Sequence, residues 1–316
     1  MSRLWRAAGV LLAAALVAVC AGCATRTPLV EARGHAELVQ TPFHPQQQYQ
    51  CGPASLAMVL GASGVAATPE SLEAKVYLPG RHGSLQVEML AAPRGMDRLP
   101  YTLDGELSAI TAELDAGRPV LVLHNYGLPF WPRWHYAVVI GYDSARDEIV
   151  MRSGVTERQV WPARQFMRAW DNGGRWAMVL LRPGELPAQA SAGRYLEAAA
   201  IFEKSATVPA TQAVFSAATR AWPQEPVAWI GSGTAHYRAR NFDAAAWDYE
   251  AALALDGSLA GARNNLAMAL LEKGCPRQAQ AELDKLDPGA LPTALRNEVE
   301  DTQRQIRERG ASTAGC

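Results

Sequence analysis

Residues 46–60 read QQQYQCGPASLAMVL, and the cysteine in their midst decides how the N-terminal half is understood. An apolar helical pattern begins directly after Gly52-Pro53. A proline in the first helical turn costs nothing, because its missing N–H would have no intrahelical partner there. Cys51 therefore stands at or just before a helix N-terminus. The free N–H groups and the positive end of the helix dipole favour a thiolate there and lower a cysteine pKa below ~8.5. That is the placement expected of a nucleophile; the alternative is an ordinary buried thiol near a helix start. A glutamine shortly upstream can offer its side-chain amide to an oxyanion hole beside the Cys51 backbone N–H. Gln46, Gln47, Gln48 and Gln50 all lie in range, and spacing alone does not choose among them.

Residues 134–154, WHYAVVIGYDSARDEIVMRSG, supply a base. His135 opens an apolar, β-branched run that predicts a buried strand. A histidine at the mouth of a core strand can face a cysteine at a helix N-terminus. The other histidines, His35, His44, His82, His124 and His236, read as structural. The pattern predicts helices over 52–60, 69–74, 85–92 and 106–116. Strands are expected over 119–123, 135–142, 148–152 and 176–181, with 143–147 as a hairpin loop. Helices first and an antiparallel sheet second make an α+β domain. In the loop Leu128–Trp134, LPFWPRW, Trp131 and Trp134 either cap the core or wall a peptide cleft.

QCGPASLA followed by HYAVVIGYD, with PGRHGSLQVEML and AGRPVLVLHN between them, resembles the bacteriocin-processing (double-glycine) cysteine peptidases and their stand-alone papain-like relatives. The resemblance spans roughly residues 41 to 181. It implies a papain-like fold, peptide-bond hydrolysis without cofactor or metal, Cys51 as nucleophile and His135 as base. It also implies Gln46 as oxyanion donor, because Gln46 follows a proline as in the stand-alone relatives; exporter-linked members would place it one residue earlier. That family usually carries Asp-Pro on the strand after the histidine, where the aspartate orients the imidazole. Here the place reads Met151-Arg152-Ser153-Gly154. Ser153 can accept a hydrogen bond from the ring but brings no charge to stabilise an imidazolium. Either Ser153 does that job, or Asp143 or a backbone carbonyl substitutes. Hydrolysis through a Cys–His dyad is the leading expectation. The alternatives are a weak or inactive module that holds a peptide uncut, and acyl or peptidyl transfer by the same dyad.

The rest of the chain sets the context. Its 316 residues suggest about two domains. Hydrophobic residues make up 49% and charged residues 19%, which is enough apolar material for a packed core. Thirty basic against 31 acidic residues, a net charge of -1, argues against nucleic acid as a partner. Five cysteines without CxxC spacing suggest neither a disulfide scaffold nor a metal site.

At the N-terminus, Arg3 and Arg6 precede the apolar run AAGVLLAAALVAVCAG, which ends at Cys23. This pattern is that of a secretory signal, and the run is shorter than the ~20 residues needed to span a bilayer. Ala21-Gly22-Cys23 resembles the bacterial lipobox, although Cys20 stands where leucine is usual. Residues 1–22 are thus expected to be a lipoprotein signal, Cys23 the acylated anchor in the bilayer, and 23–40 a tether. Ala24 is not the aspartate that would favour inner-membrane retention, so the expected address is the outer membrane, facing the periplasm. Simple signal cleavage to a soluble periplasmic protein is the alternative.

The peptidase-like domain covers 41–183, and the Pro-containing segment 184–191 reads as a linker. Residues 192–309 read as an all-α tetratricopeptide-type repeat domain, followed by a tail over 310–316. With a repeat starting at Pro226, Trp229, Gly233, Ala245, Tyr249 and Ala252 take the small and large positions of the 34-residue pattern. Leu266, Ala267, Leu270, Ala279, Leu283 and Leu286 repeat them. A nonrepeating bundle is the alternative. Such arrays bind a peptide or protein partner on a concave face. Cys275 and Cys316 are candidates to pair in an oxidising compartment.

Overall fold

The computed structural model describes residues 34–46, 50–128 and 130–310. The signal, Cys23, most of the tether, Gln47, Gln48 and Cys316 lie outside the described residues. Among the described residues, no helix is long and apolar enough to cross a membrane.

Helix α1, Cys51–Ala62, is buried at every position from Gly52 to Leu60. Its sequence is apolar on all sides, which suits a helix sunk in the core rather than laid on the surface. Three helices follow, α2 (Pro69–Val76), α3 (Gln86–Ala91) and α4 (Leu107–Asp115). The sheet has seven strands: β1 (His35–Glu37), β2 (Leu99–Thr102), β3 (Val120–Asn125), β4 (Trp134–Asp143), β5 (Glu148–Ser153), β6 (Thr156–Pro162) and β7 (Ala177–Leu181). Their order is β2-β7-β3-β4-β5-β6, all pairs are antiparallel, and β1 joins the far end of β4.

Successive strand residues point to opposite faces. Tyr136, Val138 and Ile140 of β4 meet the α1 core, as do Leu121 and Leu123 of β3. Ala137 and Val139 face the other side, with Val120 and Val122, onto α4 and α5 (Ala163–Asn172). Both faces are covered, so the central strands read as continuous apolar runs. The α+β expectation holds, with four elements added. β1 and β2 are short, and β2 contains Pro100, which weakens its sequence signal. β6, TERQVWP, is a polar, largely exposed edge. α5 begins at once after β6, with no turn residues to announce it.

The C-terminal region is all-helical: α6 (Ala192–Phe202), α7 (Val208–Ala221), α8 (Pro226–Arg238), α9 (Phe242–Leu255), α10 (Ala260–Glu272), α11 (Pro276–Leu283) and α12 (Thr293–Gly310). α6, α8 and α10 begin 34 residues apart, at Ala192, Pro226 and Ala260. A Cβ on Gly233 would come within 2.7 Å of the Tyr249 ring, so glycine lets α8 and α9 close. Cys275 is disulfide-bonded, and the Cys316 part of the pairing expectation lies outside the described residues.

Segment 184–191 is a non-helical connector, but it does not separate two cores. Tyr195, Leu196, Ala199 and Phe202 of α6 and Val214, Phe215 and Ala218 of α7 belong to one buried cluster with Leu99, Tyr101 and Val179 of the sheet. Apolar side chains on the α6 face meet the sheet edge at β2, so sequence composition marks a boundary that packing bridges. The buried Glu113 carboxylate also accepts the Ala188 N–H at 2.7 Å. Burying one large apolar side chain is worth ~1.5–3 kcal/mol, and this face has three, Tyr195, Leu196 and Phe202. Truncation after Pro183 is therefore expected to abolish cooperative unfolding, whereas truncation after Glu225 keeps it. Thermal melts of the two truncations check this; an intact, cooperative melt for the shorter chain would contradict the shared core.

Candidate functional site

Cys51 is the first residue of α1 and the free cysteine among those described. Gly52 follows because the segment at Ser84 crosses the helix start: a Cβ there would lie 2.1 Å from Ser84 Oγ. The sulfur accepts from the backbone N–H groups of Tyr136, Gly52 and Cys51 itself. Burial pushes the thiol pKa up, and those N–H groups act against that rise. The depressed value expected from the helix terminus is thus not what the site presents. Cys51 is half-buried against the core at this terminus, and desolvation outweighs the N–H groups.

The Tyr136 backbone is gripped on both sides. Its N–H points to Cys51, and its carbonyl accepts from Ser55 Oγ at 3.2 Å and from Gln46 Nε2 at 3.3 Å. Ser55 lies one helical turn after Cys51, so α1 holds the strand at the residue next to His135.

Gln46 is a brace in this arrangement. Its Nε2 donates to Ser55 Oγ (3.1 Å) and the Tyr136 carbonyl, while its Oε1 accepts the Gly154 N–H at 3.1 Å. Its own N–H donates to the Gly154 carbonyl at 2.9 Å. In this arrangement the Gln46 amide expected to serve an oxyanion hole is directed to Ser55 and the Tyr136 carbonyl. Gln50 Nε2 reaches Glu73 Oε2 at 3.5 Å. The backbone N–H groups of Cys51 and Gly52 are the donors beside the sulfur. Gly154, at φ 60°, makes the turn that sets Ser153 in place.

His135 Nε2 lies 2.9 Å from Ser153 Oγ. Of the substitutes considered for the missing aspartate, Ser153 is the one beside the ring. Asp143 is eight residues along β4, roughly 26 Å away at a strand rise of ~3.3 Å per residue, and its carboxylate caps the Ala145 and Arg146 N–H groups. Burial lowers the His135 pKa to about 4. Among the described residues no hydrogen bond joins Cys51 to His135, as is common before substrate binds.

The site extends past Ser153. Burial raises the Tyr126 pKa to about 12, Ser153 acts against that rise, and the Tyr126 hydroxyl lies 3.2 Å from Nδ1 of His124. His124 is fully buried, directly opposite His135 across the β3–β4 ladder. The structural role read for it from sequence overlooks this register. Trp161 stacks on it and Phe166 meets it at 79°, and its pKa falls to about 3, by burial first and by the nearby His135 second.

The loop into His135 does not cap the core. Phe130, Trp131 and Trp134 are 80%, 75% and 56% exposed. Its neck is nevertheless fastened, since buried Asn125 Oδ1 accepts the N–H of both Gly127 and Arg133 at 2.8 Å.

Residues 38–178, less than half of the chain, match the model of the Peptidase_C39 like family. This stretch is therefore a cysteine-peptidase-like domain by similarity. A protein of Bacillus anthracis described as a C39-like peptidase aligns at 17% identity and TM-score 0.40, over 47% of this chain and 98% of its own. The first tetratricopeptide domain of Spaghetti (RPAP3), bound to an HSP90 peptide, aligns at 21% identity and TM-score 0.34, over 38% and 94%. The first such domain of human RPAP3 aligns at 19% and 0.34, over 38% and 96%. No curated protein matches the chain.

Proposed function

We propose that the chain is a cysteine peptidase that hydrolyses peptide bonds with Cys51 as nucleophile and His135 as base. The observation that carries this reading is the Tyr136 backbone. Its N–H meets the Cys51 sulfur, while the neighbouring His135 spends Nε2 on Ser153 and keeps Nδ1 for proton transfer. Burial leaves both partners neutral near pH 7, so proton transfer to Nδ1 accompanies sulfur attack on the carbonyl instead of preceding it. The tetrahedral oxyanion would be met by the N–H groups at the start of α1. His135 then protonates the leaving amine, and a water activated by the same ring releases the acyl group. The exposed aromatic loop from Leu128 to Trp134 suits the wall of a cleft for an extended peptide.

The same neutrality, with Ser153 where an acid would stand, favours a second reading as a peptide-holding module of weak activity. In the wider proposal, Cys23 anchors the chain in the bacterial envelope, facing the periplasm, and the helical array recruits a protein partner. A peptide bearing a C-terminal electrophilic ketone tests the chemistry. Mass spectrometry is expected to find its adduct on Cys51, with none in Cys51→Ala. Labelling elsewhere, or none at denaturant-free pH 7–8, would leave only the holding module.

A further inference from the structure

We propose that Tyr126 and His124 are positioning residues which, through Ser153, hold His135 in the tautomer that bears its proton on Nε2. The inference rests on the peptidase reading only for its purpose; the contacts at the two ends of the relay do not depend on what the thiol does.

Two contacts are geometric, one between His135 Nε2 and Ser153 Oγ (2.9 Å) and one between the Tyr126 hydroxyl and His124 Nδ1 (3.2 Å), and Ser153 acts on the Tyr126 hydroxyl between them by lowering its pKa against the rise from burial. Alternation places His124, His135 and Ser153 on one face of three adjacent strands, β3, β4 and β5. Two hydroxyls in series can each donate and accept, so the chain can run in either direction. The direction decides whether His135 is a base. If His124 accepts from Tyr126, then Tyr126 accepts from Ser153, Ser153 accepts from His135 Nε2–H, and Nδ1 of His135 carries a lone pair. If His124 donates from Nδ1, the order reverses. Nδ1 of His135 is then protonated and cannot take the Cys51 proton.

The other nitrogen of His124 chooses between these states. Among the described residues Nε2 is buried without a hydrogen-bond partner, on a ring that stacks on Trp161 and meets Phe166 edge to face. An N–H is better tolerated against electron-rich aromatic rings than a lone pair is. His124 therefore keeps its proton on Nε2 and accepts at Nδ1, which is the productive direction. Burial of His124 keeps it from taking a second proton. A neutral relay thus orients the base where a carboxylate ordinarily would, without supplying charge.

Nitrogen-15 NMR on histidine-labelled protein reads the His135 tautomer directly. The wild type is expected to show His135 almost wholly as Nε2–H. Tyr126→Phe removes one partly exposed hydroxyl and is expected to yield a mixed tautomer population, with Cys51 alkylation slowed about tenfold. His124→Leu is expected to act like Tyr126→Phe, whereas His124→Asn, which keeps an acceptor near the Nδ1 position, restores the wild-type ratio. An unchanged His135 tautomer in Tyr126→Phe overturns the relay. A shifted tautomer in a protein that never forms the ketone adduct would retain the relay and reject the peptidase.

Discussion

His135→Ala is expected to slow acylation of Cys51 by about 10²–10⁴-fold, the usual worth of a positioned base. Ser153→Ala should cost far less, because a neutral hydroxyl orients the ring without holding charge. The pH dependence separates this site from one with a preformed thiolate–imidazolium pair. A base works only while unprotonated, and burial holds His135 down to about 4. The rising limb of the acylation rate is therefore expected near pH 4, not near the ~6.5 of an ordinary histidine. The Cys51 thiol is pushed up, so its alkylation by iodoacetamide should still be climbing above pH 8.5. Stopped-flow acylation of wild type and Ser153→Ala after pH jumps from 7 to values down to 3.5, read before the chain unfolds, measures the rising limb, and iodoacetamide alkylation from pH 7 to 10 measures the thiol. A rising limb at 6–7, lost together with His135, would mean that the ring is solvated in solution and the buried pair is not the reacting form.

What was legible in the sequence was local. The Cys51 helix announces itself because Gly-Pro opens a run that is apolar on every side. The β4–β5 hairpin does so because Asp143–Asp147 interrupts two β-branched runs. Features that depend on register were not visible. His124 sits at the end of AGRPVLVLHN, and only the pairing of Asn125 with Trp134 sets it opposite His135. Centring the hairpin on the loop between them would have found that pairing. The Gln46 brace depends on the turn at Gly154, more than a hundred residues away, and no spacing rule reaches it. Electrostatics misled for a related reason. A helix N-terminus argues for a depressed thiol pKa only where desolvation is small, and here the half-buried Cys51 loses more to desolvation than it gains from the N–H groups. The linker shows the same limit, since composition changes at 184–191 while the apolar face of α6 continues the sheet's own core.

Two histidines, one fully buried and one half-buried, also make the fold sensitive to acid. His124 and His135 have folded-state pKa values of about 3 and about 4, both below the unfolded value of 6.5. As pH falls through 6.5 the unfolded chain binds two protons that the folded chain refuses, so stability is full above that pH and declines below it. Each histidine contributes a slope of about 1.4 kcal/mol per pH unit, so two units of acid remove about 5 kcal/mol. Domains of this kind hold roughly 5–15 kcal/mol in total, so unfolding near pH 4.5 is within reach. Burial acts in the opposite sense on Asp248 and Glu203, whose raised pKa values let the folded chain bind protons first. Those groups lie in the helical array and offset part of the loss as they take up protons in the folded state. The expected result is a urea midpoint that falls steeply between pH 6.5 and 5. His124→Asn should roughly halve that slope, because it removes one of the two refused protons and keeps an acceptor for Tyr126. A midpoint unchanged from pH 7 to 5 would show that at least one ring takes its proton in the folded state, and the neutral relay at Ser153 would lose its electrostatic basis.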